Sequence, residues 1–144
     1  MPTKLMATFA GAVSAFNSGD YITSLKPLLH KHVVMDQVDD PKAPPHAGID
    51  NVINYLVGTQ STLLPQFAYV GDPEIVYGPV EAPASTDDPA SQALHGQISG
   101  IGTYQDDKQK PATLTYVRYF FLFRRESPKD SWLLVHAVAT PYKP

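Results

Sequence analysis

Between Thr115 and Phe123 the chain is apolar or aromatic at almost every position, with Arg118 the one charge inside the run. A second apolar run, Ser131 to Thr140, follows across the charged turn Glu126 to Asp130, and the two read as a long antiparallel hairpin. Side chains alternate faces along a strand. Leu114, Tyr116, Phe120 and Leu122 therefore take one face, and Val117, Tyr119, Phe121 and Phe123 the other. A strand apolar on both faces must be covered on both. The helices of a small α+β domain cover one face and leave the second for another chain. A homodimer through the outer sheet face is expected, with Phe121 and Phe123 at its seam.

The 144 residues suit one domain spanning 1–144. A chain of this size buries roughly 68–70% of its unfolded surface, enough for a core without staples. There is no cysteine, which removes disulfides and thiolate metal sites and suits a reducing, cytoplasmic compartment. The net charge of -3 and the scarcity of arginine, present only at 118, 124 and 125, argue against nucleic acid as a partner. No stretch approaches the ~18 continuous apolar residues of a membrane span. Lys4 ahead of the apolar stretch Leu5 to Phe16 imitates a signal-peptide core. Leu5, Phe9, Ala12, Val13 and Phe16, however, form one helical stripe, with Thr8, Ser14 and Asn17 on the opposite side.

That first helix, about 3–17, stops at Asn17-Ser18-Gly19, and Asp20 caps a short second helix disturbed by Pro27. A strand is expected over His32 to Val38, then a proline-rich loop to Ala47. Gly48 leads into a third helix carrying Ile49, Val52, Ile53 and Leu56 and running to about Thr62. Gln66 to Tyr77 reads as a strand broken near Gly71, and Pro79 to Ser91 as an acidic surface loop. Leu94 to Gln105 reads as a strand with Gly96, Gly100 and Gly102 on one face, a mark of bending or close backbone approach. Helices first and strands after give an α+β fold, with helices on one face of a curved antiparallel sheet.

The order of several motifs carries a family resemblance. Phe16-Asn17-Ser18-Gly19-Asp20, then Leu28-Leu29, then His46-Ala47-Gly48 opening a helix with Ile53-Asn54-Tyr55-Leu56, resembles the nuclear transport factor 2-like (SnoaL-like) superfamily. Arg118 to Arg125 and Trp132 to His136 resemble, within it, the SgcJ/EcaC-type proteins and the association domain of calcium/calmodulin-dependent protein kinase II. The resemblance implies a cone-shaped barrel, a curved antiparallel sheet wrapped around three N-terminal helices and dimeric through its outer face. It does not imply one activity, since isomerases, dehydratases, cyclases and non-enzymatic assembly domains share the scaffold.

Candidate site residues follow from cost and position. A guanidinium inside an apolar strand needs a partner or water, so Arg118 is a candidate for holding an anionic or carbonyl ligand, or else a structural ion pair. Asp36 stands among Val33, Val34 and Met35 and needs a partner too, for which Arg118 is available. In the ketosteroid isomerases that the chain resembles, a catalytic aspartate ends the first strand, which here corresponds to Asp36, Gln37 or Asp40. Their oxyanion tyrosine lies eight residues before the Gly-Asp aspartate, which counts back from Asp20 to Ala12. Loss of such a donor removes ~2.7–4 kcal/mol of stabilisation and argues against steroid-type isomerisation. His136 matches the family's Trp-x-x-Val-His motif and shares strand parity with Trp132 and Leu134. His30 and His32 are expected to be exposed, and His46 to lie in a loop. Tyr55, at the flank of the third helix's stripe, is a further ligand candidate. No spacing suggests a metal site, and no motif suggests a cofactor.

Two readings result. One is a domain that binds a small apolar or anionic organic ligand in an apolar cavity. Asp36 and His136 would be its catalytic groups, Gln37, Tyr55 and Arg118 would hold the ligand, and its chemistry would be cofactor-free isomerase, cyclase or lyase proton transfer. The alternative is a non-enzymatic dimerisation or association module.

Overall fold

In a computed structural model of the chain, residues 4–36, 42–60, 68–69, 74–84, 87, 90–105 and 114–142 are described. Within them, the side chains of 17, 58–60, 68–69, 74–80, 100–105, 114–119 and 139–142 lie outside the description.

Helix α1 (Leu5–Ser18) buries the expected stripe of Leu5, Phe9, Ala12, Val13 and, in part, Phe16. Thr8 departs from expectation and is only 1% exposed. Its Oγ1 donates to the Lys4 carbonyl at 3.3 Å, and the hydroxyl satisfied by its own helix can then sit among apolar neighbours. Gly19 ends the helix at φ 75°, a conformation that costs glycine little, and its N–H donates to the Ala15 carbonyl. Asp20 then accepts from the Thr23 N–H and the Ser24 hydroxyl, starting a π-helical turn over Tyr21–Leu25. A 3-10 turn containing Pro27, Lys26–Leu28, completes this irregular second helix.

Strand β1 (Leu29–Met35) begins three residues before the expected position, and β2 (His46–Ala47) pairs back onto it. Gly48, at φ 87°, turns the chain into helix α2 (Ile49–Gln60), which buries Val52, Ile53 and Leu56. The remaining strands are β3 (Ala68–Tyr69), β4 (Glu74–Pro83), β5 (Leu94–Gln105), β6 (Leu114–Arg125) and β7 (Leu133–Tyr142). The first part of the segment expected as a surface loop is therefore strand, because β4 continues through Pro79 to Pro83. Among the described strands it pairs with β5 alone, and the register shifts between Tyr77 and Val80, where Gly78 and Pro79 fall. An edge strand with an irregular register tolerates prolines that a central strand would not.

The sheet order is β2-β1-β7-β6-β5-β3, with β4 also on β5. Two features qualify the expected cone-shaped barrel of a curved antiparallel sheet. β1 runs parallel to β7, so the sheet is mixed, and among the described strands it is open. The long pairing of β1 with the last strand arises because the chain leaves β1 for β2 and α2 and returns only at its C-terminal end. The fold is α+β, with α1 packed on one sheet face.

On that face Phe121 lies 5.6 Å from Phe9 and 6.1 Å from Phe16, ring centre to ring centre. Phe123, Trp132, Leu134, Ile98 and Leu25 complete a closely buried core. Arg125 lies over Trp132 with its guanidinium carbon 4.9 Å from the ring. Gly96 is required by close approach: a methyl there would sit 2.6 Å from Leu5 Cδ2 and 3.1 Å from Trp132 Cζ3. Gly96, the first glycine of the expected stripe, thus admits the first turn of α1.

Phe121 and Phe123 are consequently not seam residues; at 3% and 0% exposure they belong to the interior of a single chain. Phe123→Ala is expected to destabilise the domain by about 3–5 kcal/mol in urea denaturation. Phe121→Asp is expected to prevent folding rather than to yield a folded monomer, as circular dichroism would show. Gly96→Ala, which must displace Leu5 or Trp132, is expected to cost about 1–3 kcal/mol in the same assay.

Candidate functional site

The other sheet face carries the polar groups. The register of β6 with β7 shifts between Leu122 and Phe123: Leu122 stands opposite His136, and Phe123 opposite Leu134. Val135 is the extra residue. This bulge reverses the expected parity, leaving Trp132 and Leu134 in the core and turning His136 to the outer face beside Leu122 and Phe120. β1 places Val34 against His136 and Met35 against Ala137, and the Asp36 N–H donates to the Ala137 carbonyl. Met35 is buried, so Asp36, one residue on, emerges on the outer face.

Asp36 and His136, remote in sequence, therefore meet. His136 Nε2 lies 3.2 Å from Asp36 Oδ2, with the two side chains 34% and 37% exposed. An ionised carboxylate only accepts, so Nε2 carries the proton and donates. Phe120 packs edge-on against the imidazole, 6.3 Å between ring centres. A carboxylate that orients an imidazole while leaving the rest of the ring accessible has the form of an acid–base pair. His136 is thus a partner of Asp36 that the sequence reading did not pair with it; the expected partner was Arg118. The Arg118 backbone pairs with Ile101 and Thr140, but its side chain lies outside the described residues. Gln37 and Asp40 lie outside them entirely.

Tyr55 sits on the helix side. Half-buried against the core, it stacks on His46 with ring centres 4.1 Å apart and 15° between planes. His46 is on β2 opposite Met35, so it is a strand residue and not the loop residue expected. The stack lies one sheet layer from Asp36 and does not share its face. Ala12, at the position corresponding to the isomerase tyrosine, is fully buried.

A further polar cluster closes one end of the sheet. His30 is 8% exposed, contrary to expectation, while His32 is exposed. His30 Nδ1 accepts from the His32 N–H at 3.0 Å, so its proton is on Nε2, which lies 3.3 Å from Glu126 Oε1. Arg124 donates to both oxygens of Glu126, at 2.8 and 3.3 Å. These bonds, that of Arg124 foremost, hold the Glu126 carboxyl below its usual range. His95 pairs across the sheet with Arg124, and burial, with the nearby guanidinium adding to it, pushes its imidazole down. Sequence reasoning missed this cluster, whose members come from β1, β5, β6 and the turn after β6 with no local motif to announce them. Among the described residues no group of three or more histidine, aspartate or glutamate side chains is placed to hold a metal ion. No helix among them is long and apolar enough to cross a membrane.

No family model matches the chain, and no curated protein resembles it in sequence. Solved structures do resemble it. A candidate calcium/calmodulin-dependent protein kinase type II association domain from Thiobacillus denitrificans is 16% identical with a TM-score of 0.65, covering 99% of this chain and 98% of that one. A ketosteroid isomerase-like protein from Erwinia carotovora atroseptica is 15% identical with a TM-score of 0.56, covering 97% and 95%. A candidate dehydratase of the NTF2-like family from Streptomyces avermitilis is also 15% identical with a TM-score of 0.56, covering 95% and 92%. The chain therefore has the cone fold of the nuclear transport factor 2-like proteins, in agreement with the sequence resemblance.

The depressed His95 imidazole has a consequence for stability. Its folded value is below the ordinary 6.5, so on acidification the unfolded chain takes up the proton first. The stabilisation is complete above that ordinary value and is lost as pH falls through the folded one. Urea midpoints should decline from about pH 7.5 to about pH 5.5, and His95→Gln should flatten that slope.

Proposed function

We propose that this chain is a paired cone-fold domain, two copies meeting through their outer sheet faces. The observation that carries the reading is the composition of that face. Val34, Phe120, Leu122 and Val138 are half-buried apolar side chains at its centre, with Asp36, His95, Gln97 and Arg124 around them. An apolar centre within a polar rim is the anatomy of a protein–protein interface. The two-faced apolar strand supports the same reading, because α1 covers only the face that carries Phe121 and Phe123. The likeness to a candidate association domain agrees with it.

A second function, binding of a small apolar or anionic organic molecule inside the cone, is favoured by the His46–Tyr55 stack on the helix side. Gln37, Tyr55 and Arg118 are the groups proposed to hold it. The Asp36–His136 pair, the proposed acid–base element for isomerase, cyclase or lyase chemistry with Asp36 as base, stands on the outer face and would serve a molecule bound on that face rather than one held beside Tyr55. Resemblance to proteins named ketosteroid isomerase-like and dehydratase is consistent with such chemistry.

Pairing is tested by Phe120→Asp and Leu122→Asp, which leave the core intact. Sedimentation is expected to show a wild-type dimer and to show its dissociation constant raised at least about thirtyfold in either variant, near 2 kcal/mol. A wild-type monomer at micromolar concentration would remove the proposal. Ligand binding predicts a small molecule retained in native mass spectra of the purified protein and lost in Arg118→Ala; spectra of protein mass alone would count against it.

A further inference from the structure

From the position of the Asp36–His136 pair we infer that pairing of two copies is coupled to proton uptake, so that the dimer tightens as pH falls from about 8 to about 6. The inference rests on the pairing proposed above and adds its regulation. Both side chains retain about a third of their exposure in the single chain, so water still solvates the carboxylate. They adjoin Val34, Phe120 and Leu122, the centre of the proposed interface. A second copy seated there replaces that water with apolar surface.

The sign follows from charge. With neutral His136 the pair carries one negative charge, and removing water from a lone carboxylate opposes association. With protonated His136 the pair is neutral as a unit and keeps its hydrogen bond. Association therefore favours the protonated ring, and by linkage protons favour association. Among the described residues the groups that face the imidazole are Asp36 from β1 and Phe120 from β6, together with Leu122 opposite it in the ladder. Among the described side chains, His136 is the cationic partner in contact with Asp36.

Sedimentation equilibrium of the intact chain at about pH 8 and about pH 6 tests the coupling. The wild-type dissociation constant is expected to fall at least about tenfold at the lower pH, each copy bringing one such pair to the dimer. Asp36→Asn, in which a proton on His136 would be an uncompensated charge at the seam, should not tighten at the lower pH and should associate more weakly there than at the higher. His136→Asn, which leaves Asp36 without its partner, should associate more weakly than wild type at both. Circular dichroism establishes that the variants fold; should one not fold, the wild-type comparison alone decides. Equal wild-type affinity at the two pH values, or tighter pairing at the higher, would overturn the proton coupling and leave the dimer standing. A wild-type monomer at both, up to about 100 μM, would overturn the dimer and the coupling with it.

Discussion

The contact of α1 with the sheet holds the rest in place. Leu5 enters the space left by the missing side chain of Gly96, and Trp132 closes over the same point. Further along, Phe9 and Phe16 pack on Phe121. Interiors are close-packed, so a helix admitted at this depth determines which side of the sheet is inside. Every other position on β5, β6 and β7 then takes its face from that choice. The outer face, its polar pair and the surface available to a partner are consequences of it.

The bulge at Val135 is the second decisive feature. Without it, His136 would point with Trp132 and Leu134 into the core, where an imidazole would need a buried partner. One added residue sends it outward, within reach of Asp36 at 3.2 Å. β1 also arrives irregularly: its register with β7 shifts between Leu29 and Val34, so residues 30–33 stand against Val135 alone. His30 lies in that gap and reaches Glu126, which Arg124 already grips. The irregularities of β1 and β7 thus fall beside each other, and each delivers a histidine to a carboxylate. Bulges commonly re-aim side chains in this way.

Much of the architecture was legible from local chemistry. The α1 stripe, the Gly19 stop, the Asp20 cap, Gly48 before α2, the extent of β5 and the hairpin of β6 and β7 follow from rules acting over a few residues. Thr8 was misread because its polarity was counted, whereas its bond to Lys4 was not. β4 was misread because prolines were taken to exclude a strand, while an edge position admits them. Of the candidate site residues, Asp36 and His136 were each singled out, but not as partners.

What the amino-acid order by itself determined is the set of elements and the existence of an apolar strand needing cover on two sides. Periodicity, caps and glycines act locally, so they survive in a linear reading. The tertiary structure alone decided which face of that strand is the interior, that the sheet is mixed, and which histidine meets which carboxylate. Those outcomes depend on helix docking and on a one-residue bulge, and alternation reverses every face when a single residue is inserted.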